Sequence, residues 1–360
     1  MENNSIGIIG GGQLCQMLSE YLDSIGKKVY FIDPSENPPA KNTNAIHIRK
    51  DYGDKEALEF LSKNCDAITY EFENIPVESL SFLNKDISIN PSPYILSISQ
   101  NRLNEKTNFT RCGINTPNFT RFNKGDALVS VMKESNINFP IILKTNTLGY
   151  DGKGQYRINT YKDFENNLQF LDEMTDYIIE EVINFKKEFS VIIGKDCFGN
   201  IEYFQPIENI HKNGILDISI YPARITKEAE KNSIELATKF INEIKLTGIL
   251  AIEMFLNNND KILFNEIAPR PHNSGHLTIQ SHSISQFGLL GEIVSNKKIS
   301  KPLSNKKAVM KNILGEFFNK KNYKEILNEI KNMDNHYLKL YNKDEAKPGR
   351  KMGHVTIITN

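Results

Sequence analysis

Strand-like and helix-like patterns alternate through the first hundred residues of the chain. The apolar, β-branched segment SIGIIG is followed by GGQLCQMLSEYLDSIG, whose apolar spacing is typical of an amphipathic helix that ends at Gly26. KVYFID and DAITYEFE repeat the strand pattern, and a helical run through ALEFLSKN lies between them. Because parallel strands need crossover helices, this alternation favours a doubly wound parallel sheet. The sequence therefore predicts an α/β protein whose amino-terminal domain covers residues 1–98.

The remaining chain divides into three further regions. Residues 99–185 hold a connector and two strand-like segments, FPIILKT and DYIIEEV, around a glycine-rich loop. Residues 186–300 contain the strand KEFSVIIG, a helix near 227–245 and the strand pair GILAIEMF and KILFNEIA. Residues 301–360 end in a basic turn, KPGRK, followed by a strand-like run. These boundaries are predictions from prolines, glycines and changes of periodicity.

The charge balance limits the kinds of partner that we expect, and the cysteine spacing indicates the cellular compartment. The chain has 44 basic and 44 acidic side chains, so no overall field draws it to nucleic acid or to an anionic membrane. No apolar run approaches the roughly 20 residues of a membrane span, and the amino terminus does not resemble a signal peptide. The four cysteines are scattered without a CxxC pair, which is typical of a reducing compartment. We therefore expect a cytoplasmic protein that binds small molecules.

Two acidic residues are expected to face each other across a hairpin. The strands 248–256 and 261–268 flank the turn NNND, and this geometry makes Glu253 and Glu266 near-opposite partners on one face. Two neighbouring carboxylates in apolar surroundings repel, so a proton, a basic residue or a divalent cation must compensate. A magnesium site would suit carboxylates and substrate phosphates. A solvated hairpin with two surface acids is the alternative.

The segment APRPHNSGH follows directly. Its prolines remove backbone donors, which ends the strand and holds Arg270 on a stiff backbone. The run that begins at His272 predicts a helix starting near Asn273 or Ser274, both good N-cap residues. Since a helix N-terminus favours anions, an arginine, a histidine and a helix start after the paired acids indicate a site for phosphates and a second small anion. Taken singly, the arginine could form a surface ion pair and the histidine could be a packing residue.

Two glycine-rich loops are candidates for phosphate binding. LKTNTLGYDGKGQ, at 143–155, lacks the P-loop spacing but has glycines that let backbone N–H groups approach a phosphate, with Lys144 and Lys153 beside them. A hairpin turn with solvated charges is the alternative. IIGGGQLCQML, at 8–18, approximates the dinucleotide fingerprint GxGxxG, with Asp33 ending the next strand. Cys15 stands at its third glycine position, so this loop either binds a nicotinamide cofactor or holds a phosphate of another substrate.

The order of these motifs resembles one enzyme family. GGGQL, KTNTLGYDGKGQ, KEFSV, GILAIEMF, NEIAPRPHNSGH and GRKMGH together resemble the N5-carboxyaminoimidazole ribonucleotide synthetases, ATP-grasp enzymes of purine biosynthesis. The resemblance implies an ATP-grasp architecture with a doubly wound amino-terminal domain, a lid subdomain over 99–185, a catalytic region over 186–300 and a carboxy-terminal segment closing the substrate site. It also implies a homodimer that uses ATP and Mg²⁺ or Mn²⁺. The implied reaction phosphorylates bicarbonate to carboxyphosphate. That intermediate, or CO2 released from it, then carboxylates the exocyclic amine of 5-aminoimidazole ribonucleotide.

The same resemblance implies roles for individual residues. Those implied to contact ATP are Lys106, Lys144, Gly149, Gly152, Lys153, Gly154, Gln155, the adenine hinge Glu180, Glu181 and Val182, the ribose ligand Glu188, and His211. Glu253 and Glu266 are the implied metal ligands, and Arg270, His272, Asn273 and Asp151 the implied catalytic residues. The implied substrate contacts are Gln13, Leu14, Glu71, Tyr150, Lys347, Arg350 and Lys351. A surface turn histidine is the alternative for His211.

The sequence alone leaves several alternative functions open. Another ATP-grasp carboxylase or transformylase with a different amine acceptor, a nicotinamide-dependent oxidoreductase and a non-catalytic nucleotide-binding subunit are the competing functions. Cys15 stands where the family usually has glycine, so we expect altered affinity for the aminoimidazole substrate. Asn101 stands where an aspartate is common.

Overall fold

The structure is a computed structural model that describes residues 4–83, 87–147, 149, 154–167, 171–172 and 175–359. Tyr150, Asp151, Gly152 and Lys153, which were assigned to the closing loop, lie outside the described residues. Three sheets organise the chain. Among the described residues, no helix combines the length and apolar character that crossing a membrane requires.

The first sheet is parallel and belongs to the amino-terminal region, as the sequence predicts. Its strands are β1 (Ser5–Ile9), β2 (Lys28–Ile32), β3 (Ile46–Ile48), β4 (Ala67–Tyr70) and β5 (Ser88–Ile89), in the order β3-β2-β1-β4-β5. The helices are α1 (Gln13–Ser24), α2 (Lys55–Asn64) and α3 (Pro93–Ser99), with 3-10 turns at Pro39–Asn42 and Val77–Phe82. The two edge strands β3 and β5 were not predicted, because two or three residues are too few to show a strand period.

The second sheet is small and antiparallel. Its strands are β6 (Phe119–Phe122), β7 (Ile141–Thr145), β8 (Gln155–Ile158) and β9 (Tyr177–Glu181), in the order β6-β9-β7-β8. Helices α4 (Arg102–Arg111), α5 (Leu128–Glu134) and α6 (Tyr161–Asn167) belong to the same stretch of chain. Strands β7 and β9 are the two that the sequence predicts. Their antiparallel register sets Lys144 opposite Ile178 and Ile142 opposite Glu180, so Lys144 and Glu180 are diagonal neighbours on one face of the sheet.

The third sheet has nine strands and runs from the hairpin to the carboxy terminus. Its strands are β10 (Phe185–Lys195), β11 (Ile201–Tyr203), β12 (Ile207–Lys212), β13 (Ile215–Tyr221), β14 (Gly248–Asn257), β15 (Ile262–Ala268), β16 (Lys307–Leu314), β17 (His336–Leu340) and β18 (Lys351–Thr359). The order is β15-β14-β10-β12-β13-β16-β18-β17, and β11 pairs with β10. The strands after residue 300 therefore extend the same sheet, while the domain boundaries stay a prediction.

Four helices pack around this sheet, and one expected helix is broken. The helices are α7 (Lys227–Glu243), α8 (Thr278–Ser281), α9 (Gln286–Val294) and α10 (Tyr323–Asn332), with 3-10 turns at Asn273–Leu277 and Gly315–Asn319. The sequence predicts one helix from Asn273 or Ser274, but the chain forms the 3-10 turn 273–277, then α8, then α9. Ser285 accepts a hydrogen bond from the Gly288 amide and so starts α9 as a new helix.

Candidate active site

The predicted pair of carboxylates is present, and a β-bulge creates it. Glu253 on β14 is the direct cross-strand partner of Glu266 on β15. Closer to the turn the register shifts, since Met254 pairs with Phe264 and leaves Asn265 as an extra residue. A regular ladder from the turn would place Asn265 opposite Glu253. The bulge therefore brings the second carboxylate to the first, and it frees the Asn265 carbonyl, which accepts a hydrogen bond from Lys106 Nζ at 2.8 Å.

Basic side chains compensate the paired acids. Glu253 Oε1 lies 2.9 Å from His272 Nε2, and Glu266 Oε2 lies 3.0 Å from Arg102 Nη1. Burial alone would raise the pKa of Glu266, but Arg102 and Lys144 lower it to about 2. Of the three compensations that the sequence left open, the structure contains the basic partners. Arg102 had not been assigned a role, because it is distant in sequence from the hairpin.

A third acid and a histidine extend this cluster. Glu188 Oε2 on β10 lies 2.9 Å from His211 Nδ1 on β12. Among the described residues, one ligand atom each of Glu188, His211 and Glu253 lie within 4.8 Å of one another. Two carboxylates and an imidazole at this spacing are a donor set that fits a divalent cation. Burial would lower the pKa of His211, but its hydrogen bond to Glu188 and the nearby carboxylates raise it. The surface-turn alternative for His211 is wrong, since the side chain is mostly buried in the cluster.

Two lysines converge on a single buried acid. Glu180 Oε2 lies 2.8 Å from Lys144 Nζ and 3.5 Å from Lys106 Nζ, and all three side chains are less than a tenth exposed. Burial would raise the pKa of Glu180, but the two lysines lower it to about 2. Burial lowers the pKa of Lys106. A ligand phosphate that reaches these amines would compete with Glu180 for the two lysines.

The expected adenine hinge consists of Glu180, Glu181 and Val182, at the end of β9. The Glu181 carboxylate accepts hydrogen bonds from the Asn118 amide and side chain at 2.9 and 3.3 Å. The Glu180 carboxylate is engaged by the lysines. Recognition of a base at Glu180, Glu181 and Val182 would therefore use backbone groups, as the sequence resemblance implies.

The segment after the hairpin carries the basic end of the site. Arg270 Nη2 lies 2.8 Å from Glu73 Oε1 of the amino-terminal domain. His272 takes the N-cap position that the sequence assigned to Asn273 or Ser274, and its Nδ1 faces Ser274 Oγ at 2.9 Å. The Asn273 side chain is 8% exposed, and neither of its polar atoms has a hydrogen-bond partner in the part of the chain that the structure describes. Such an amide marks a position for a ligand or for water.

The described ends of the closing loop lie beside Arg102 at Gly149 and beside β7 at Gly154 and Gln155. The Gly149 carbonyl accepts from Arg102 Nη2 at 3.3 Å, so one guanidinium contacts both the loop and Glu266. Gly154 has φ +69°, and a Cβ there would lie 2.7 Å from Thr145 Oγ1. Gln155 pairs with Lys144 across β7 and β8. One end of the loop therefore contacts Arg102, and the other end pairs with Lys144.

The amino-terminal glycine turn is filled by acids of the protein itself. The Gly11 amide donates to Asp33 Oδ2 at 2.9 Å, the Cys15 amide donates to Glu71 Oε2 at 2.9 Å, and the Gly12 amide donates to Glu71 Oε1. The backbone of Gln13 and Leu14 lies in the same turn. Burial raises the pKa of Glu71. A substrate phosphate at this turn would have to share these amides with Glu71 or displace it.

The Cys15 side chain does not line the turn. Its side chain is fully buried within the apolar core, next to the Ser19 hydroxyl at 3.8 Å, while its amide faces Glu71. The expected effect of Cys15 on substrate approach therefore loses its structural basis. Asn101 caps α4 by accepting a hydrogen bond from the Asn104 amide at 2.9 Å, as an aspartate would.

The basic turn before β18 is mostly exposed. Lys347 Nζ lies 2.7 Å from Glu345, and Arg350 donates to the Glu345 carbonyl at 3.0 Å. Lys351 is half-buried at the start of β18, where its carbonyl accepts from Lys343 Nζ at 2.8 Å. The charge of Lys343 also acts on Glu71 and lowers its pKa against the effect of burial. Lys343 could not be identified from the sequence, because it lies outside the KPGRK motif.

Family models and curated relatives match nearly the whole chain. Residues 3–100 match the ribonucleotide synthetase preATP-grasp domain, 107–287 the ATP-grasp domain and 308–360 the phosphoribosylaminoimidazole carboxylase C-terminal domain. The N5-carboxyaminoimidazole ribonucleotide synthase of Bacillus subtilis is 38% identical over 354 residues, which cover 98% of this chain and 91% of that protein.

Solved structures of similar proteins include nucleotide complexes. The Staphylococcus aureus N5-carboxyaminoimidazole synthetase complexed with ADP is 36% identical, with a TM-score of 0.92 over 99% of this chain and 93% of that chain. The Aspergillus clavatus N5-carboxyaminoimidazole synthase in complex with ADP and 5-aminoimidazole ribonucleotide is 28% identical, with a TM-score of 0.89 over 99% and 93% of the two chains. The described site can therefore be compared with proteins that bind a nucleotide and an aminoimidazole together.

Proposed function

The chain belongs to the N5-carboxyaminoimidazole ribonucleotide synthase family, and we propose that the residues described above divide that family's reaction among them as follows. It is an ATP-dependent ligase that carboxylates 5-aminoimidazole ribonucleotide in purine biosynthesis. Its fold is the ATP-grasp architecture with a doubly wound amino-terminal domain. A different amine acceptor or a nicotinamide cofactor is not favoured by these relatives.

The cross-strand pair Glu253 and Glu266 is the single observation that carries the assignment of roles. His272 contacts Glu253, and Lys106 donates to the carbonyl of Asn265, the residue before Glu266. We assign Lys106 and Lys144 to the ATP phosphates, the backbone of 180–182 to adenine, and Glu188 to the ribose. Gly149, Gly154, Gln155 and the loop residues Gly152 and Lys153 are proposed to close over the phosphates.

Glu253 and Glu266 are proposed to hold Mg²⁺ or Mn²⁺, with Glu188 and His211 beside them. The ligand atoms that lie within 4.8 Å of one another belong to Glu188, His211 and Glu253, and their hard carboxylate oxygens fit such a cation. Glu266 would add a further carboxylate as the cross-strand partner of Glu253. When bound, such a cation neutralises phosphate charge and aligns the γ-phosphoryl group for in-line transfer. Arg102 and His272 would then exchange part of their contact with the carboxylates for contact with ligands. His211 is proposed to face the phosphates through its second ring nitrogen.

Arg270, His272 and Asn273 are proposed to hold bicarbonate. A bicarbonate oxygen attacks the γ-phosphorus, and the bond to ADP breaks, which gives carboxyphosphate. The exocyclic amine of the aminoimidazole then bonds to the carboxyl carbon, phosphate leaves and the amine loses a proton. The two buried side-chain atoms of Asn273 that lack hydrogen-bond partners among the described residues support a ligand contact there. Asp151 and Tyr150, from the closing loop, are proposed to contact the aminoimidazole, and the closed loop would exclude water from carboxyphosphate.

The substrate's ribose phosphate is proposed to lie between the glycine turn and the basic turn. Lys347, Arg350 and Lys351 would supply positive charge, and the Gln13 and Leu14 amides would supply backbone donors. Glu71 is proposed to contact the ribose side of this substrate. A homodimer and a cytoplasmic location are proposed from the sequence resemblance alone.

The test is ADP release from MgATP and bicarbonate, with and without 5-aminoimidazole ribonucleotide, measured in the full chain. We expect strong stimulation by that nucleotide, dependence on bicarbonate, and loss of both in Glu266→Ala. The carboxylated product should appear in step with ADP. ADP release that ignores the nucleotide would contradict the acceptor. A Glu266→Ala protein of unchanged activity would contradict the metal hairpin.

A further inference from the structure

An acid from the amino-terminal domain enters the bicarbonate end of the site. Glu73 Oε1 lies 2.8 Å from Arg270 Nη2, although the two residues are almost two hundred positions apart in sequence. The contact is an ion pair whose direction departs from hydrogen-bond geometry. The charges of Glu266, His272 and Arg102 also act on the Glu73 carboxyl. Glu73 therefore belongs to the same electrostatic cluster as the catalytic hairpin.

This pair differs from an ordinary surface ion pair. The Arg270 and Glu73 side chains are only 20% and 25% exposed, so solvent screens their attraction less than it would on the surface. The backbone that carries Glu73 is also fixed, because the Gln100 side-chain amide donates to the carbonyls of Glu73 and Ile75 at 2.5 and 2.6 Å. The backbone at Glu73 is thus held by Gln100, which lies between α3 and α4.

The hydrogen-bond donors of Arg270 show what the contact achieves. Nη1 donates to the Pro271 carbonyl at 3.1 Å, and Nη2 faces Glu73. The Nε atom is buried and has no hydrogen-bond partner within the described ranges. Two fixed contacts define the plane of the guanidinium, since its geometry is rigid. The direction of the Nε–H group is therefore fixed before a planar anion arrives.

We propose that Glu73 is a positioning residue for the carboxylation reaction: it fixes the guanidinium of Arg270 so that the free donor edge meets bicarbonate, and the carboxyphosphate formed from it. The proposal rests on the assignment of Arg270 to bicarbonate given above. Glu73 itself would not touch the anion, since two negative groups repel. Its effect is transmitted through Arg270, and it makes the bicarbonate end depend on the amino-terminal domain.

The proposal predicts a selective kinetic defect. Glu73→Gln keeps the shape of the side chain and removes its charge. We expect the KM for bicarbonate to rise by roughly tenfold or more, because a charged anchor of the arginine is lost, while the KM for ATP stays within about twofold. Glu78→Gln is the matched control, because Glu78 is an exposed acid in the same connection between β4 and β5. It should leave both constants unchanged.

A double-mutant cycle separates positioning from a merely structural role. If Glu73 acts through Arg270, Glu73→Gln should cost much less in an Arg270→Lys background, where the fork geometry is already lost. Glu73→Asp retains the charge on a shorter side chain and should recover part of the bicarbonate affinity. It also serves as the test variant if Glu73→Gln does not fold. Additive effects in the cycle would overturn the proposal.

The outcomes distinguish this inference from the proposed function. A wild-type protein whose ADP release ignores bicarbonate would contradict the proposed function itself. A bicarbonate-dependent wild type whose Glu73→Gln variant keeps the same KM for bicarbonate would overturn only the role of Glu73. Equal increases in the KM values for ATP and bicarbonate would also overturn it, because they would indicate general damage to the site.

Discussion

The amino-terminal glycine turn and the carboxylate hairpin both carry sequence patterns associated with nucleotides, yet their polar groups are satisfied in different ways. In the turn, the amides of Gly11, Gly12 and Cys15 already donate to Asp33 and Glu71. In the hairpin region, carboxylates and cations are paired, but Asn273 and Arg270 keep buried polar atoms without partners among the described residues. In the turn, the protein itself satisfies the amides of Gly11, Gly12 and Cys15, whereas the hairpin region keeps buried polar atoms that a ligand could satisfy.

This difference explains why the dinucleotide-like motif misleads. In a nicotinamide enzyme the acid at the end of the second strand binds a ribose. Here Asp33 is 4% exposed and accepts hydrogen bonds from the Gly11 and Ser35 amides. A glycine motif alone therefore does not identify a cofactor, because its function depends on the groups that other strands bring to its amides.

The largest effect should come from neutralising one acid of the hairpin. We expect Glu253→Gln and Glu266→Gln each to lower kcat by about 10²–10³-fold, because each removes charge stabilisation of the phosphoryl transfer. Asp260→Asn is the control, as an exposed acid at the turn of the same hairpin with a single ion pair to Lys186. ADP release at saturating substrates measures the effect. If both glutamine variants kept a kcat within a few fold of wild type, the hairpin acids would not be needed for phosphoryl transfer. The hairpin would then not differ in function from the glycine turn.

A smaller, mainly structural effect is expected at the turn. Glu71→Gln removes one of the two carboxylate acceptors that serve the Gly12 and Cys15 amides, so the free energy of unfolding should fall by about 1–3 kcal/mol. The KM for ATP should stay unchanged, and the KM for the aminoimidazole nucleotide should rise, because Glu71 is proposed to contact that substrate. Urea unfolding and steady-state kinetics measure the two effects. A raised KM for ATP would argue that the turn belongs to the nucleotide site.

Cys15 provides a finer test of the closed turn. Because its side chain is packed in the core, Cys15→Gly should lower the free energy of unfolding by about 1–2 kcal/mol through lost burial and helix propensity. The KM for the aminoimidazole nucleotide should remain near the wild-type value, in contrast to the expectation from sequence. Cys15→Ala, which keeps a Cβ and a good helix former, is the matched control. A clear change in that KM would show that the side chain shapes the turn.

The pH dependence of stability should have opposite signs in the two regions. The pKa of Glu180, beside the hairpin, is lowered from 4.5 to about 2, so its contribution is complete above 4.5 and is lost as the pH falls toward 2. The pKa of Glu71 is raised from 4.5 by burial, so its contribution is largest below 4.5 and is lost as the pH rises through the folded-state pKa.

Urea unfolding of wild type, Glu180→Gln and Glu71→Gln at about pH 7, 5 and 3.5 separates these contributions. The stability difference between wild type and Glu180→Gln should shrink between pH 5 and 3.5. The difference between wild type and Glu71→Gln should shift in favour of wild type as the pH falls from 7 to 5. If both stability differences changed in the same direction with pH, the proposed contrast would be wrong. In that contrast, lysines stabilise the charged form of Glu180, and burial destabilises the charged form of Glu71.

Much of the fold could be predicted because local patterns agree with the tertiary structure. The strands β1, β2, β4, β7, β9, β10, β14 and β15 and the helices α1, α2 and α7 follow directly from periodicity and turn residues. The short edge strands could not be predicted, and neither could the break between α8 and α9, because two to four residues carry no reliable period. The opposition of Glu253 and Glu266 was predicted, although the bulge that achieves it was not.

The α/β class, the order of the motifs and the candidate acids, lysines and arginine of the site follow from the sequence alone, since these depend on residue type and local spacing. How those charges are shared depends on the tertiary structure. It joined Arg102 to Glu266, Glu73 to Arg270 and Glu71 to the glycine turn across more than fifty residues of chain in each case. Electrostatic and hydrogen-bond energies depend on distances of a few ångströms between distant segments, and no spacing along one strand or helix encodes those distances.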